Sequence, residues 1–203
     1  MFEIKLIEPP VLDTAIAALY ISKGNEDRIF DETGKVIIDE GRLAALEKWG
    51  FQMKHSQLLK FVTWSWLILG LGRGSYDDLR THGTFSTFIA KSTRYCKTFR
   101  VAPWYAQNYS KEELQRDTAT LEFIQQLEGE PDVIRGHFPL SVDTPFIVKT
   151  NLLHFCHIVE TRKEHAHPEI KLLLKELTAQ LGESSPAGAW IAHCIEKYVY
   201  QDR

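Results

Sequence analysis

The chain has 203 residues, of which 44% are hydrophobic and 25% charged, a composition typical of one globular domain, or at most two small ones, with a substantial apolar core. Its 24 Lys and Arg against 27 Asp and Glu give a net charge of -3, which excludes a general basic surface for nucleic acid or an anionic membrane. The longest apolar run covers residues 64–71, far fewer than the roughly 20 that span a bilayer, and no basic-then-apolar leader is present, so we expect a cytoplasmic protein.

The first part of the chain is predicted to alternate strands and helices. Apolar and polar residues alternate over residues 2–7, which predicts a half-buried strand closed by Pro9 and Pro10. Helical patterns then cover residues 12–21 and 40–49. Residues 58–71 are rich in aromatic and aliphatic side chains, which predicts one long central strand, and a short polar helix is predicted over 75–81.

The second part of the chain is predicted to be mainly helical. Ser110 and Glu113 have the spacing of a capping box, which predicts a helix start, and Gly129 and Pro131 end that helix. Residues 146–149 are a strand candidate, and three further helical patterns cover residues 151–163, 168–181 and 186–200. Because no repeat or low-complexity tract is present, the sequence predicts a single α+β domain over residues 1–203.

Arginine, serine and threonine are concentrated in three short segments, residues 92–95, 134–136 and 161–163. The planar guanidinium fork matches phosphate oxygens and a serine hydroxyl adds a donor, so these segments together could hold a nucleotide monophosphate. The alternative is a set of solvated surface arginines, some of them paired with a carboxylate such as Glu169 or Asp132.

Histidines and cysteines form a second concentration. His154, Cys156 and His157 share a predicted helix, and their types suit zinc, but the spacing matches no established metal motif; satisfied or solvent-facing histidines are the alternative. Three cysteines at unrelated spacings argue against a disulfide framework, so we expect reduced core thiols at Cys96, Cys156 and Cys194. The glycines at 70, 72 and 74 lack the third spaced glycine of a dinucleotide fingerprint.

Several segments, in this order, resemble the motifs of the flavin-dependent thymidylate synthases, the ThyX family. The family's R-H-R and S-x-R-Y elements resemble Thr81-His82-Gly83 and Ser92-Thr93-Arg94-Tyr95. The other matching segments are His55 to Phe61, Arg135 to Leu140, Asn151 to Arg162, and His165 to Ile170. The likeness extends from the first strand to about Leu181.

The resemblance implies a central sheet with flanking helices and a homotetramer whose active sites lie between subunits. It also implies FAD, NADPH and methylenetetrahydrofolate as cofactors or co-substrates, and dUMP as the nucleotide. The expected reaction carries a one-carbon unit to C5 of the uracil ring and reduces it with a flavin hydride, without a cysteine nucleophile.

Carried over by motif position, the resemblance assigns Ser92, Arg94 and Arg135 to the nucleotide phosphate and Arg162 to the uracil. It assigns the cofactor side to His55, Ser56, His82, Asn151 and His157. It identifies no catalytic residue.

The chain departs from the family pattern mainly on the flavin side. Thr81 and Gly83 stand where the family has the two arginines of R-H-R, and Leu153 replaces a third arginine. Lys60 replaces a glutamate, and Asp78 stands where the family has glutamine or glutamate. Candidate replacements for the missing contacts are Lys60, Arg73, Arg80, His157 and His167. The alternative function is therefore a nucleotide-binding ThyX-like protein that has lost the flavin redox reaction or uses its pocket for other chemistry.

Overall fold

The computed structural model describes residues 2–81, 86–93, 96 and 98–201. Four strands form one antiparallel sheet in the order β1-β2-β4-β3. The strands are β1 (Glu3–Val11), β2 (Thr63–Leu69), β3 (Thr87–Ala90) and β4 (Phe146–Asn151). This mixed architecture confirms the predicted α+β fold, with the sheet in the centre and helices around it.

Two strand predictions are corrected by the structure. Pro9 and Pro10 do not close the first strand but lie within β1, which is an edge strand whose register shifts between Leu6 and Glu8 and again before Val11. Edge strands tolerate proline because one side of their backbone makes no ladder hydrogen bonds. The long strand predicted over 58–71 begins only at Thr63, because Ser56–Phe61 forms a 3₁₀ helix.

The predicted helices are confirmed with small changes at their ends. They are α1 (Asp13–Ile21), α2 (Glu40–Glu47), α3 (Arg73–Thr81), α5 (Lys111–Gln126), α7 (Leu152–Arg162), α8 (Pro168–Ser184) and α9 (Pro186–Ile195). Two short helices, α4 (Pro103–Asn108) and α6 (Pro131–Arg135), are additional to the sequence prediction. After α2 and α9 the chain continues in π turns, Lys48–Gln52 and Glu196–Tyr200. No described helix combines the length and the apolar composition that a membrane crossing requires.

Side-chain caps determine where several of these helices begin. The capping box is confirmed: Glu113 N donates to Ser110 Oγ at 3.2 Å, and Ser110 N donates to Glu113 Oε2 at 2.9 Å. Asn151 caps α7 by accepting a hydrogen bond from His154 N. Such caps stabilise a helix by about 0.5–2 kcal/mol, and the cap at Asn151 fixes the direction in which α7 leaves the sheet.

The main core lies between the sheet and the long C-terminal helices. Trp64 and Trp66 of β2 are fully buried, and their rings lie 5.7 Å and 5.4 Å from that of Phe155 on α7. A second, smaller cluster joins α5 and α6 around Ile124 and Phe138. The main core includes Leu79 of α3, and the smaller cluster includes Val142, whose carbonyl accepts a hydrogen bond from Arg73 N at the start of α3. The candidate site lies beside α3.

Candidate functional site

A cationic groove lies along one face of α3. Arg73, Tyr76, Asp77 and Arg80 line it from the helix, at the spacing i, i+3, i+4 and i+7 that places side chains on a single face. The opposite side is formed by Ala90, Lys91, Thr93, Arg135 and Thr144. The groove encloses about 500 Å³ including its open mouth. Four cationic side chains against one carboxylate make it a candidate anion site.

Backbone hydrogen bonds fix the start of α3 against the segment before β4. Arg73 N donates to Val142 O at 2.9 Å, and Gly74 N donates to Leu140 O at 3.0 Å. Gly72 also forms an isolated bridge with Asp143. These hydrogen bonds hold the start of α3 against the segment before β4, and so they fix the backbone from which the Arg73 side chain extends.

The ion pairs of the groove are long. Arg73 Nε lies 3.5 Å from Asp77, and Arg135 lies 3.8 Å from Asp132, with all four side chains partly exposed. Both distances exceed the roughly 2.7–2.9 Å of a charge-assisted hydrogen bond, so neither pair competes strongly with a bound anion. Burial raises the pKa of Tyr76, which keeps its phenol neutral and able to donate a hydrogen bond.

The predicted nucleotide residues are only partly brought together. Arg135, at the end of α6, lines the cationic groove, and Ser92 directly precedes the lining residue Thr93. Arg94 lies outside the described residues. Arg162 lines neither this groove nor the groove at His55 described next; it forms an ion pair of 2.5 Å with Asp78 on α3, next to the lining residue Asp77. α3 therefore connects the cationic groove to Arg162, the arginine that is predicted to bind the uracil.

Two predicted cofactor residues line a second groove. His55 and Ser56 lie beside Trp49 and Lys54 in a groove of about 720 Å³ including its mouth. The His55 and Trp49 rings are 5.0 Å apart and tilted by 35°, and Lys23 Nζ lies 4.5 Å from the centre of the Trp49 ring. Lys23 therefore lies over one face of the Trp49 ring, and Lys54 lines the groove. Aromatic rings together with positive charge suit a planar ring system that carries phosphate groups.

The sequence matches the profile of the family described as thymidylate synthase complementing protein, Thy1, over residues 10–187. The chain belongs to this family. No protein of curated function matches the sequence.

Solved structures share the fold of this Thy1 chain. A crystal structure of thymidylate synthase X (ThyX) from Helicobacter pylori with FAD and dUMP superposes with a TM-score of 0.73 at 17% identity, covering 97% of this chain and 100% of that one. A second structure of this ThyX with FAD and dUMP gives 0.74 at 18% identity, covering 97% and 99%. The UMP/dUMP methylase PolB from Streptomyces cacaoi, bound with 5-Br dUMP, gives 0.72 at 15% identity, covering 98% and 96%. These matches show that the chain has the ThyX fold, and the family match over residues 10–187 confirms the ThyX resemblance.

Two further predicted cofactor residues, Asn151 and His157, lie on or next to α7. The amide oxygen of Asn151 accepts the hydrogen bond that caps α7, and the side chain is buried. His157 is exposed two turns further along α7. His82 lies outside the described residues. Neither Asn151 nor His157 lines either of the two grooves.

A buried polar junction beside α3 was not predicted as a site. Glu169, fully buried at the start of α8, accepts hydrogen bonds from Gly72 N at 3.0 Å and Ser75 Oγ at 2.5 Å. Burial raises the pKa of Glu169, and burial followed by the nearby Glu169 charge raises that of Tyr105 to about 12. Glu169 was a candidate partner for an arginine, but in the structure it accepts from the backbone and a serine of the α3 segment.

His154 and the cysteines do not form a metal site in the part of the chain that the structure describes. His154 is buried, and its Nδ1 is in contact with Ser86 Oγ, which also donates to Thr150 Oγ1 at 2.7 Å. No cluster of three or more His, Cys, Asp or Glu side chains suited to a metal occurs among the described residues. Burial raises the pKa of Cys156 to about 12 and raises that of Cys194 as well, so neither thiol is an activated nucleophile.

Proposed function

We propose that the protein is a flavin-dependent, thymidylate synthase-like enzyme that transfers a one-carbon unit from methylenetetrahydrofolate to C5 of dUMP or a related uridine nucleotide. The observation that carries this proposal is the Thy1 family match over residues 10–187. The named functions of the similar structures, a ThyX with FAD and dUMP and a UMP/dUMP methylase, support the same chemistry. A cytoplasmic location, with a folate and a nucleotide as small-molecule partners, accords with this proposal.

The cationic groove would bind the nucleotide phosphate. Arg135 and the hydroxyl-bearing segment around Ser92 and Thr93 provide charge-assisted and neutral donors on one side, and α3 provides the other. Arg162 would donate to the uracil carbonyl oxygens, and Asp78 would hold its guanidinium in place through their 2.5 Å ion pair. This arrangement separates phosphate binding from base recognition.

The groove at His55 fits the FAD that the family implies. Trp49 and His55 provide flat aromatic surface, and Lys54 provides positive charge for a diphosphate. When bound, FAD would supply the hydride that completes the methyl group, with NADPH as the source of reducing equivalents. In the proposed reaction this chain's own residues bind and orient the reactants, and no cysteine acts as a nucleophile.

A homotetramer with composite active sites is part of the proposal. The face of the sheet opposite the main core exposes apolar side chains, with Ile89 at 69% and Ile147 at 41%. The predicted cofactor residues are also divided between the His55 groove and α7, so a second subunit could complete the site. Light scattering should report a tetramer; a strictly monomeric mass at working concentration would argue against a composite site.

The second candidate is a nucleotide-binding ThyX-like protein without flavin chemistry. The observation in its favour is that Thr81, Gly83 and Leu153 replace three arginines of the family pattern, while Asn151 uses its side chain to cap α7. Each lost charge-assisted hydrogen bond weakens binding by roughly 1.5–3 kcal/mol, so FAD affinity could fall by several powers of ten.

Titration with FAD separates the two candidates. Flavin fluorescence should change saturably at micromolar FAD, and the protein with FAD, NADPH, methylenetetrahydrofolate and dUMP should form dTMP. No saturable change up to about millimolar FAD would remove the flavin-dependent enzyme. Binding of dUMP in the same preparation, measured by calorimetry, would then support the second candidate.

A further inference from the structure

The glycine-rich segment 70–74 directs its backbone N–H groups at buried carboxylates of the same chain. Gly70 N donates to Asp143 Oδ1 and Gly72 N donates to Glu169 Oε1, each at 3.0 Å. The next two N–H groups donate to backbone carbonyls of the segment before β4. Because these donors already have partners, they do not serve as the phosphate-binding donors of a dinucleotide loop. They fix the place where α3 begins.

Glu169 completes the N-terminal cap of α3 from a distant helix. Gly72 is the N-cap residue, because its carbonyl accepts the first hydrogen bond of the helix, from Tyr76 N at 2.9 Å. In a capping box, the carboxylate that binds the N-cap N–H belongs to the third residue of the same helix. Here the third residue is Ser75, whose Oγ donates to Glu169 Oε2 at 2.5 Å. A carboxylate of α8 therefore bridges both positions of the box.

Close packing prevents position 72 from carrying a side-chain cap of its own. A Cβ there would lie 2.3 Å from Tyr105 Cε2 and 3.1 Å from Glu169 Oε2. Glu169 and Ser75 are 0% and 2% exposed, so water does not replace their hydrogen bonds. Glu169 is held in turn at the start of α8, where its N–H donates to His167 Nδ1 at 3.3 Å. The cap of α3 therefore depends on this carboxylate.

The first turn of α3 carries two side chains of the cationic groove. Arg73 is the first helical residue and Tyr76 stands one turn further on, and both line the groove. Glu169 is not one of the lining residues, so it acts on the groove through the backbone of this turn. Removing Glu169 leaves two buried donors of the turn without their acceptor, and the turn must shift to satisfy them.

We infer that Glu169 is a positioning residue for nucleotide binding: from α8 it completes the cap of α3 and so sets the place of Arg73 in the cationic groove. This role rests on the proposed function, in which the groove binds the nucleotide phosphate. The cap itself rests on the hydrogen bonds alone. The effect of Glu169 is therefore expected in phosphate binding and not in the recognition of the nucleoside.

Calorimetry with dUMP and deoxyuridine on the intact protein tests this role. The deoxyuridine dissociation constant divided by that of dUMP measures the phosphate contribution to binding. We expect Glu169→Ala to lower this ratio by at least about tenfold, since a displaced guanidinium loses its charge-assisted hydrogen bonds to the phosphate. Glu169→Gln keeps an oxygen acceptor for Gly72 N and should retain most of the ratio.

A double-mutant cycle tests whether the effect passes through Arg73. Arg73→Gln alone should lower the ratio, and adding Glu169→Ala to it should lower the ratio little further. Ser75→Ala removes one hydrogen bond of the cap and should lower the ratio by less than Glu169→Ala. Because it is the milder change, Ser75→Ala carries the test if Glu169→Ala does not fold.

Leu181→Ala is the matched control for a general loss of stability. Leu181 is fully buried on α8, about 18 Å from Glu169 along the helix axis. Its replacement should lower the free energy of unfolding in urea and leave the ratio unchanged. An equal fall of the ratio in Leu181→Ala and Glu169→Ala would overturn the positioning role.

The remaining outcomes separate this inference from the proposed function. A wild-type ratio well above one that is unchanged in Glu169→Ala, or in Ser75→Ala, would overturn the positioning role and leave the methylase proposal standing. Additive effects of the Arg73 and Glu169 substitutions would overturn the action through Arg73. Equal affinity of the wild type for dUMP and deoxyuridine would overturn the phosphate groove itself, and this role with it.

Discussion

Arg162, the last residue of α7, and Asp78 on α3 form an ion pair of 2.5 Å in which both side chains are largely buried, 23% and 34% exposed. Removing one partner from such a pair leaves the other charge poorly solvated and without its orienting contact. Because Asp78 adjoins the groove-lining Asp77, the orientation of Arg162 is tied to the helix that forms the cationic groove.

Asp78→Asn should reduce the discrimination between uracil and cytosine nucleotides. The neutral amide no longer holds the Arg162 guanidinium, so the arginine loses the orientation in which it would donate to the uracil oxygens. The ratio of the dUMP and dCMP dissociation constants, measured by calorimetry, gives the result directly. Asp77→Asn is the control: it removes a carboxylate from the groove and should strengthen phosphate binding without changing that ratio. An unchanged ratio in Asp78→Asn would contradict the positioning role.

Gly72→Ala should destabilise the protein, whereas Gly74→Ala should not. A Cβ at residue 72 would lie 2.3 Å from Tyr105 Cε2 and 3.1 Å from Glu169 Oε2, but at residue 74 the nearest atom is Leu140 Cβ at 3.5 Å. Overpacking typically costs about 1–3 kcal/mol, and alanine is favoured over glycine within a helix by up to about 1 kcal/mol. Urea denaturation of the two variants provides the comparison, and equal free energies of unfolding would refute the close packing at Gly72.

Glu169→Gln should flatten the dependence of stability on pH. Burial raises the pKa of Glu169 in the folded protein above 4.5. The raised pKa stabilises the protonated form, so this contribution to the free energy of unfolding is full below pH 4.5 and is lost as pH rises through the folded-state pKa. The glutamine variant lacks this titration. Denaturation between pH 4 and about 8 should show the variant gaining stability relative to the wild type as pH rises, and parallel curves would disprove it.

Cys156→Ser should retain methylation activity. Burial holds the pKa of this thiol near 12, so almost no thiolate exists at neutral pH. The turnover number with dUMP and methylenetetrahydrofolate should stay close to that of the wild type, apart from a modest loss of stability from the buried hydroxyl. Loss of turnover in a variant with an unchanged circular dichroism spectrum would show that the thiol takes part in the reaction.

Local sequence signals predicted most elements because those signals act over a few residues. The capping box at Ser110 and the helix from Pro168 depend on neighbours three or four positions away. Residues 58–61 are predicted as part of the strand because the segment 58–71 is rich in large apolar side chains. In the structure Phe61 is 48% exposed, and the turn depends on packing against distant elements.

The candidate site was predictable only in part, because it is built from residues that are far apart in the sequence. The sequence identified Arg135 and Arg162 as nucleotide residues, but it did not place Arg73, Arg80 and Lys91 in one groove. That groove forms where α3, the end of β3 and the end of α6 meet, and these elements are separated by up to about 60 residues. Likewise, the contact of Glu169 with Gly72 joins positions 97 residues apart.

The prolines of β1 also limit how subunits can associate. β1 is one edge of the sheet, and at Pro9 and Pro10 it has no backbone N–H to offer a further strand. Nearer its start, the Ile4 carbonyl already accepts a hydrogen bond from Gln180 Nε2 at 2.8 Å. These two features disfavour the addition of a neighbouring chain as a further strand along this edge. They therefore act against open-ended, edge-to-edge growth of the sheet from copy to copy.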